Sequence, residues 1–161
     1  MDLVSSLSER LGPESLPAIY QERIRTQRTR SVGIDVPQKE NHPEILYTLL
    51  GIELKVGRRR LACPDLATAR YMRVFARLGC REFAVPYDIS KISAAADELE
   101  TAWHRSLLLL GELSRDRSAR SRANLRSRVI RAIRTEIGSI GPGEAMPPFD
   151  RETRQRPGKR P

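Results

Sequence analysis

The chain has 161 residues, of which 29 are basic, 20 are acidic and 39% are hydrophobic. This length fits one domain with tails, and no apolar run approaches the roughly 20 residues that a membrane-spanning helix needs. The first residues lack the basic and apolar segments of a secretory signal. We therefore expect a soluble protein of the cytoplasm, or of the nucleus if the host is a eukaryote.

The positive charge is concentrated in the last third of the chain. Residues 115–161 contain 13 basic and 5 acidic side chains, a net charge of +8, whereas residues 1–114 contain 16 and 15, a net charge of +1. Such an asymmetry is typical of a protein with a polyanionic partner: nucleic acid, an anionic membrane or an acidic protein face. The alternative is a solvated tail that only keeps the protein soluble.

Two helices are predicted at the N-terminus. Leu3, Leu7 and Leu11 recur every four residues, and Gly12-Pro13 ends the pattern. A second helix is expected from about residue 14 to residue 30, so that residues 1–30 form an N-terminal helical unit. Turn-forming residues dominate the stretch 31–43, which predicts a linker to a folded core at 44–138.

A β-hairpin is predicted near the start of this core. The apolar residues at 45–50 fit either a buried helix or a buried strand. After Gly51, the residues Ile52, Leu54 and Val56 alternate with polar ones, which indicates a strand. Gly57-Arg58 can then form a two-residue turn that leads into a return strand at 59–63.

A helix and a strand follow the hairpin. Asp65 suits the N-cap of a helix because its carboxylate can accept hydrogen bonds from the free N–H groups of the first turn. Gly79 is expected to end that helix. Residues 83–87 then predict a short strand, in which Pro86 favours an edge position or a strand end.

Two amphipathic helices complete the core. The longer one, from about residue 90 to residue 113, carries a wide apolar stripe that includes Leu99, Trp103 and Leu110. The last helix carries an apolar residue at every fourth position from Leu125 to Ile137. Residues 139–161 are rich in glycine, proline and charge and predict a disordered basic tail.

The order of elements predicts a helix-dominated α+β fold, in which helices pack on a small sheet that contains the hairpin. The wide stripe on the helix at about 90–113 would also suit self-association into a homo-oligomer. An assembly or scaffold protein whose basic tail meets an acidic protein is therefore an alternative function.

The arginine-rich segment 115–134 is the main candidate site. Its basic residues are all arginine, whose planar guanidinium group matches phosphate in a bidentate manner. If the segment is helical, its apolar side chains dock on the body, and Arg120, Arg131 and Arg134 line a flank that faces water or phosphate. We therefore expect a non-catalytic DNA- or RNA-binding protein; a helix with arginines for solubility and a helix on a membrane surface are the alternatives. The predicted contact residues are Arg115, Arg117, Arg120, Arg122, Arg126, Arg128, Arg131 and Arg134.

Glu53-Leu54-Lys55 resembles the Glu-x-Lys motif of nucleases of the restriction-endonuclease type, in which an acidic residue precedes the motif. The resemblance implies a Mg²⁺-dependent enzyme with Asp35 and Glu53 as metal ligands and Lys55 as the residue that orients the attacking water. Glu53 and Lys55 would point to one face of their strand. The non-catalytic alternative is an exposed cross-strand ion pair. No cofactor apart from this Mg²⁺ is expected, because the cysteines and histidines form no close ligand pairs.

Overall fold

The computed structural model describes residues 2–143, which form five α-helices and five β-strands. Of the tail predicted at 139–161, residues 139 and 140 belong to the last helix, and residues 144–161 lie outside the described part of the chain. Helices dominate and the strands are short and antiparallel, so the predicted helix-dominated α+β fold is confirmed. In chain order the elements are α1 (Leu3–Leu11), α2 (Leu16–Ile19, continued by a π-helical turn, Tyr20–Ile24), β1 (Thr29–Gly33), β2 (Glu44–Thr48), β3 (Gly51–Val56), β4 (Arg59–Cys63), α3 (Leu66–Leu78), β5 (Glu82–Pro86), α4 (Ile92–Leu113) and α5 (Ala119–Ile140).

The strands form two separate sheets. β2, β3 and β4 are a three-stranded meander in which Leu54 lies opposite both Ile45 and Leu61. The predicted hairpin is therefore present, and Gly57 has the positive φ, +61°, that its turn requires. β5 pairs with β1 instead, with Val32 opposite Phe83. Residues 44–48, which fitted either a helix or a strand, are a strand.

Helix α3 begins and ends at the two capping residues that the sequence predicts. The Asp65 carboxylate accepts a hydrogen bond from the Thr68 N–H at 2.7 Å, and Gly79 adopts the left-handed conformation at φ +78°. From Thr68 to Leu78 the apolar side chains of the helix are buried. Its Phe75 ring stacks on Phe83 of β5 with the ring centres 4.3 Å apart, so α3 forms the centre of the core.

The second helix is shorter than the sequence predicts. It ends at Ile24 rather than near Arg30, and Thr29–Gly33 is strand β1. The side chains of Thr26 and Gln27 donate hydrogen bonds to backbone carbonyls of the preceding turn, which occupies the acceptors at the helix end. The residues beyond it satisfy their backbone groups by pairing with β5, whose residues are 49 to 57 positions further along the chain.

The linker predicted at 31–43 is ordered: residues 31–33 belong to β1, and residues 34–43 lie against the body of the protein. The side chains of Ile34 and Val36 are buried, and the Ile34 N–H donates to the Arg81 carbonyl at 2.9 Å. The buried Asn41 amide donates to three backbone carbonyls at 3.0 Å, including that of Ala76 in α3. These hydrogen bonds replace a regular backbone ladder, which is why turn-forming residues are compatible with an ordered segment.

The apolar stripe of α4 is buried inside the chain. Leu99 and Trp103 are 0% and 3% exposed, and α4 packs mainly on α3. Arg70 and Arg73 of α3 donate to Glu100 of α4 at 2.6 and 3.0 Å. Because this face is already covered, the homo-oligomer expected through α4 would have to use another of its surfaces, such as the one where Leu108 is 72% exposed. No helix in the described part of the chain is long and apolar enough to cross a membrane.

Candidate nucleic-acid interface

Helix α5 carries most of the predicted contact arginines, and its apolar row fixes its orientation. Leu125, Val129, Ile133 and Ile137 are buried, at the spacing of four residues that the sequence predicts. The Ser118 hydroxyl caps the helix by accepting a hydrogen bond from the Ser121 N–H at 3.1 Å. The opposite side of the helix therefore faces solvent along its length.

Three of the eight predicted arginines make internal contacts. Arg126 forms a bidentate ion pair with Glu40 at 2.8 and 2.5 Å, and these hydrogen bonds raise the pKa of its guanidinium. Arg128 pairs with Asp2 at 2.9 Å, and Arg134 donates to the Leu78 carbonyl at the end of α3 at 2.9 Å. These contacts hold α5 to α1, to α3 and to the 34–43 segment.

The other five arginines, which we call the outer arginine set, are exposed. Arg117 donates to the Ser121 hydroxyl at 3.3 Å. Within residues 2–143, none of the five forms an ion pair with a carboxylate. The outer arginine set consists of Arg115, Arg117, Arg120, Arg122 and Arg131. The structure thus divides the predicted cluster into arginines that hold the fold together and arginines that are available to a ligand.

The outer face of α5 also carries two polar residues that were not among the predicted contacts. Asn124 and Ser127 are exposed and lie between Arg120 and Arg131 at helical spacings of four, three and four residues. The four side chains therefore form one row along the helix. An amide and a hydroxyl are common partners of phosphate oxygens. The spacing of Asn124 and Ser127 from Arg120 and Arg131 is the signal in the sequence from which their place in this row could have been predicted.

The structure does not bring the predicted nuclease residues together. Glu53 and Lys55 lie on the face of β3 opposite to the buried Leu54, where Glu53 pairs with Arg60 at 3.2 Å. Asp35 instead borders a cavity on the Leu54 side and pairs with Arg59 at 2.7 Å. Among residues 2–143, no group of three or more His, Cys, Asp or Glu side chains is placed to hold a metal ion.

Comparisons with protein-family models, with curated proteins and with solved structures found no significant match to this chain. The functional assignment therefore depends on the geometry of the site itself.

Proposed function

We propose that this chain is a non-catalytic nucleic-acid-binding protein that contacts phosphates through the outer arginine set. The observation that carries the proposal is that five exposed guanidinium groups, none paired with a carboxylate of residues 2–143, lie on the α4–α5 loop and on the exposed surface of α5. An arginine that links two elements of the fold would have to give up that contact to bind phosphate. Such a protein would act in the cytoplasm, or in the nucleus of a eukaryotic host.

The length of α5 and its fixed position on the body of the protein favour phosphate binding. Arg120 and Arg131 are about 16 Å apart along a helix that rises 1.5 Å per residue. A DNA duplex carries one phosphate charge per about 1.7 Å of its axis, so a surface of this length faces several phosphates at once. Because the apolar row anchors α5, binding orders the side chains but does not have to order the backbone. The positive N-terminal end of the helix, close to Arg120 and Arg122, adds to the attraction for anions.

The test is a titration of a labelled duplex and a labelled single strand at salt concentrations between about 50 and 200 mM. Each phosphate contact contributes about 0.9 to the slope of log affinity against log salt, so five contacts predict a slope near −4.5 on duplex DNA. Replacement of Arg117, Arg120 and Arg122 by Gln should flatten the slope by roughly 3. We expect little dependence on sequence, since phosphate contacts do not distinguish the bases.

A charge-matched control is available on another surface. Arg58, Arg59 and Arg60 are three exposed arginines at the β3–β4 turn, and their replacement by Gln removes the same net charge. This control should change the slope by less than about 1. An affinity weaker than ~1 mM at about 50 mM salt, or an equal loss in the two triple variants, would contradict the proposed function.

A further inference from the structure

A cavity of about 190 Å³ lies between residues 34–36 and the β3–β4 hairpin. Its inner wall is aliphatic, and its mouth is charged. The aliphatic residues are Ile34, Val36, Leu54, Val56 and Leu61, and the residues at the mouth are Asp35, Arg59 and Arg60. The cavity uses none of the outer arginine set and is independent of the proposed function.

The strand register explains this combination of an apolar wall and a basic mouth. Leu54 and Val56 share one face of β3, and in β4 the residues opposite them are Leu61 and Arg59. Arg59 therefore extends from the apolar face at the turn end of the hairpin, next to Gly57-Arg58. Its guanidinium meets the Asp35 carboxylate at 2.7 Å, and both side chains are 69% exposed.

We propose that the cavity binds a small aliphatic or aromatic carboxylate, with the apolar part of the ligand inside and its carboxylate on Arg59. An apolar cavity of 150 Å³ in another protein holds benzene, so this one suits a ring or a chain of about six carbons. The ligand carboxylate replaces Asp35 as the partner of Arg59. The exchange keeps a carboxylate on Arg59 and leaves Asp35 in water, where it is already mostly exposed.

The charged residues that border the cavity are two arginines, Arg59 and Arg60, and one carboxylate, Asp35, a net charge of +1 that favours an anion. Glu53 engages Arg60 on the other face of the sheet, so Arg59 is the cation that a ligand carboxylate would reach. When a ligand carboxylate occupies Arg59, the released Asp35 is fully hydrated at the surface. Asp35 thus competes with the ligand for Arg59.

The proposal is tested by titrating the full chain with hexanoate, 1-hexanol and hexylamine while the methyl resonances of the cavity residues are followed by NMR. Hexanoate should shift the methyl signals of Leu54, Val56 and Leu61 with a dissociation constant of about 1 mM, a range that suits so small a ligand. Hexanol should bind about tenfold more weakly, since it lacks the charge-assisted hydrogen bond. Hexylamine should not bind.

Four variants distinguish a carboxylate-binding site from a cavity that has no ligand. Arg59→Gln should weaken hexanoate binding about tenfold, whereas Arg58→Gln, at the neighbouring exposed position outside the cavity, should have no effect. Asp35→Asn should strengthen binding severalfold because it removes the internal competitor. Leu61→Trp should fill the cavity and abolish binding; the surface variants keep the test valid if this variant misfolds.

Three results would overturn the proposal. The first is the absence of methyl shifts with hexanoate up to about 20 mM, well above the expected dissociation constant. The second is binding of hexanol as tight as that of hexanoate. The third is equal affinity of the Arg59→Gln and Arg58→Gln variants for hexanoate. None of these results depends on whether the protein binds nucleic acid.

Discussion

Arg126 has a different role from Arg120 and Arg131, which lie on another side of α5. Arg126 is next to the buried row and reaches Glu40, a residue that is 86 positions away in the sequence. Arg120 and Arg131 lie on the outer side and make no ion pair within residues 2–143. We therefore expect Arg126→Gln to affect stability more than the salt dependence of binding.

Trp103 offers a test at the scale of a single residue. It is 3% exposed in the contact between α3 and α4, where the Arg77 guanidinium lies 5.7 Å from the centre of its ring. Trp103→Ala should lower the free energy of unfolding by about 3–5 kcal/mol, the usual cost of removing a buried aromatic ring. The measurement is chemical denaturation followed by circular dichroism.

The control for this prediction is on the same helix. Leu108 is 72% exposed, and Leu108→Ala should change the free energy of unfolding by no more than ~0.5 kcal/mol. Similar effects of the two substitutions would show that the stripe of α4 does not pack as described.

At the scale of elements, the end of α3 is the place where the 34–43 segment crosses the helix. Gly79 has a φ of +78°, and a Cβ added there would lie 2.6 Å from the Lys39 backbone nitrogen. The position therefore excludes a side chain for two reasons: backbone conformation and close approach. Glycine is therefore required at this position both by the left-handed conformation at the end of α3 and by the close packing of the 34–43 segment.

Gly79→Ala should consequently destabilise the protein by more than about 2 kcal/mol, through left-handed strain and displacement of the segment. Gly111 lies within α4, and a Cβ added there meets nothing within 4 Å. Gly111→Ala should stabilise the protein by about 0.5–1 kcal/mol because alanine favours a helix more than glycine does. Thermal denaturation of the two variants would measure both effects, and a shift of the same sign in both would contradict this account.

At the scale of the whole molecule, the core contains several groups that must stay protonated. Burial is the main cause that raises the pKa of Tyr20 from 10.0 to about 12 and that of Cys80 from 9.0 to about 12. Burial also raises the pKa of Tyr71 well above its usual value. Both tyrosines hydrogen-bond to Ala84 of β5: the Tyr20 hydroxyl accepts from its N–H at 2.8 Å, and the Tyr71 hydroxyl donates to its carbonyl at 2.5 Å.

Stability should therefore fall as the pH rises from about 9 to 12. In this range the unfolded chain releases protons that the folded protein retains, so the unfolded state is favoured by up to about 1.4 kcal/mol per pH unit for each group. Below pH 9 the stabilisation is fully present. Urea denaturation at pH 8 and pH 11 would measure the change, and Tyr20→Phe or Cys80→Ala should reduce it. A free energy of unfolding that is equal at the two pH values would rule out this interpretation.

Most helices and the β3–β4 hairpin follow from the sequence alone. The four-residue spacing in α1 and α5, the Asp65 cap and the Gly57 turn act within a few residues, so local patterns are sufficient to predict them. The concentration of arginine after residue 115 is likewise a property of composition. These features predicted the helix-dominated α+β fold and the segment that carries the candidate site.

Only the tertiary structure decided the pairing of distant segments. The sequence predicts the end of a helix and the start of a linker where strand β1 forms, because nothing local shows that β5 would supply its hydrogen bonds. Arg128 is 126 residues from Asp2, and no pattern within α5 distinguishes it from Arg131. The sequence likewise does not show that Asp35 and Glu53 lie on opposite sides of the β2–β3–β4 sheet. Periodicity describes one element at a time, whereas an ion pair or a cavity depends on how independent elements meet.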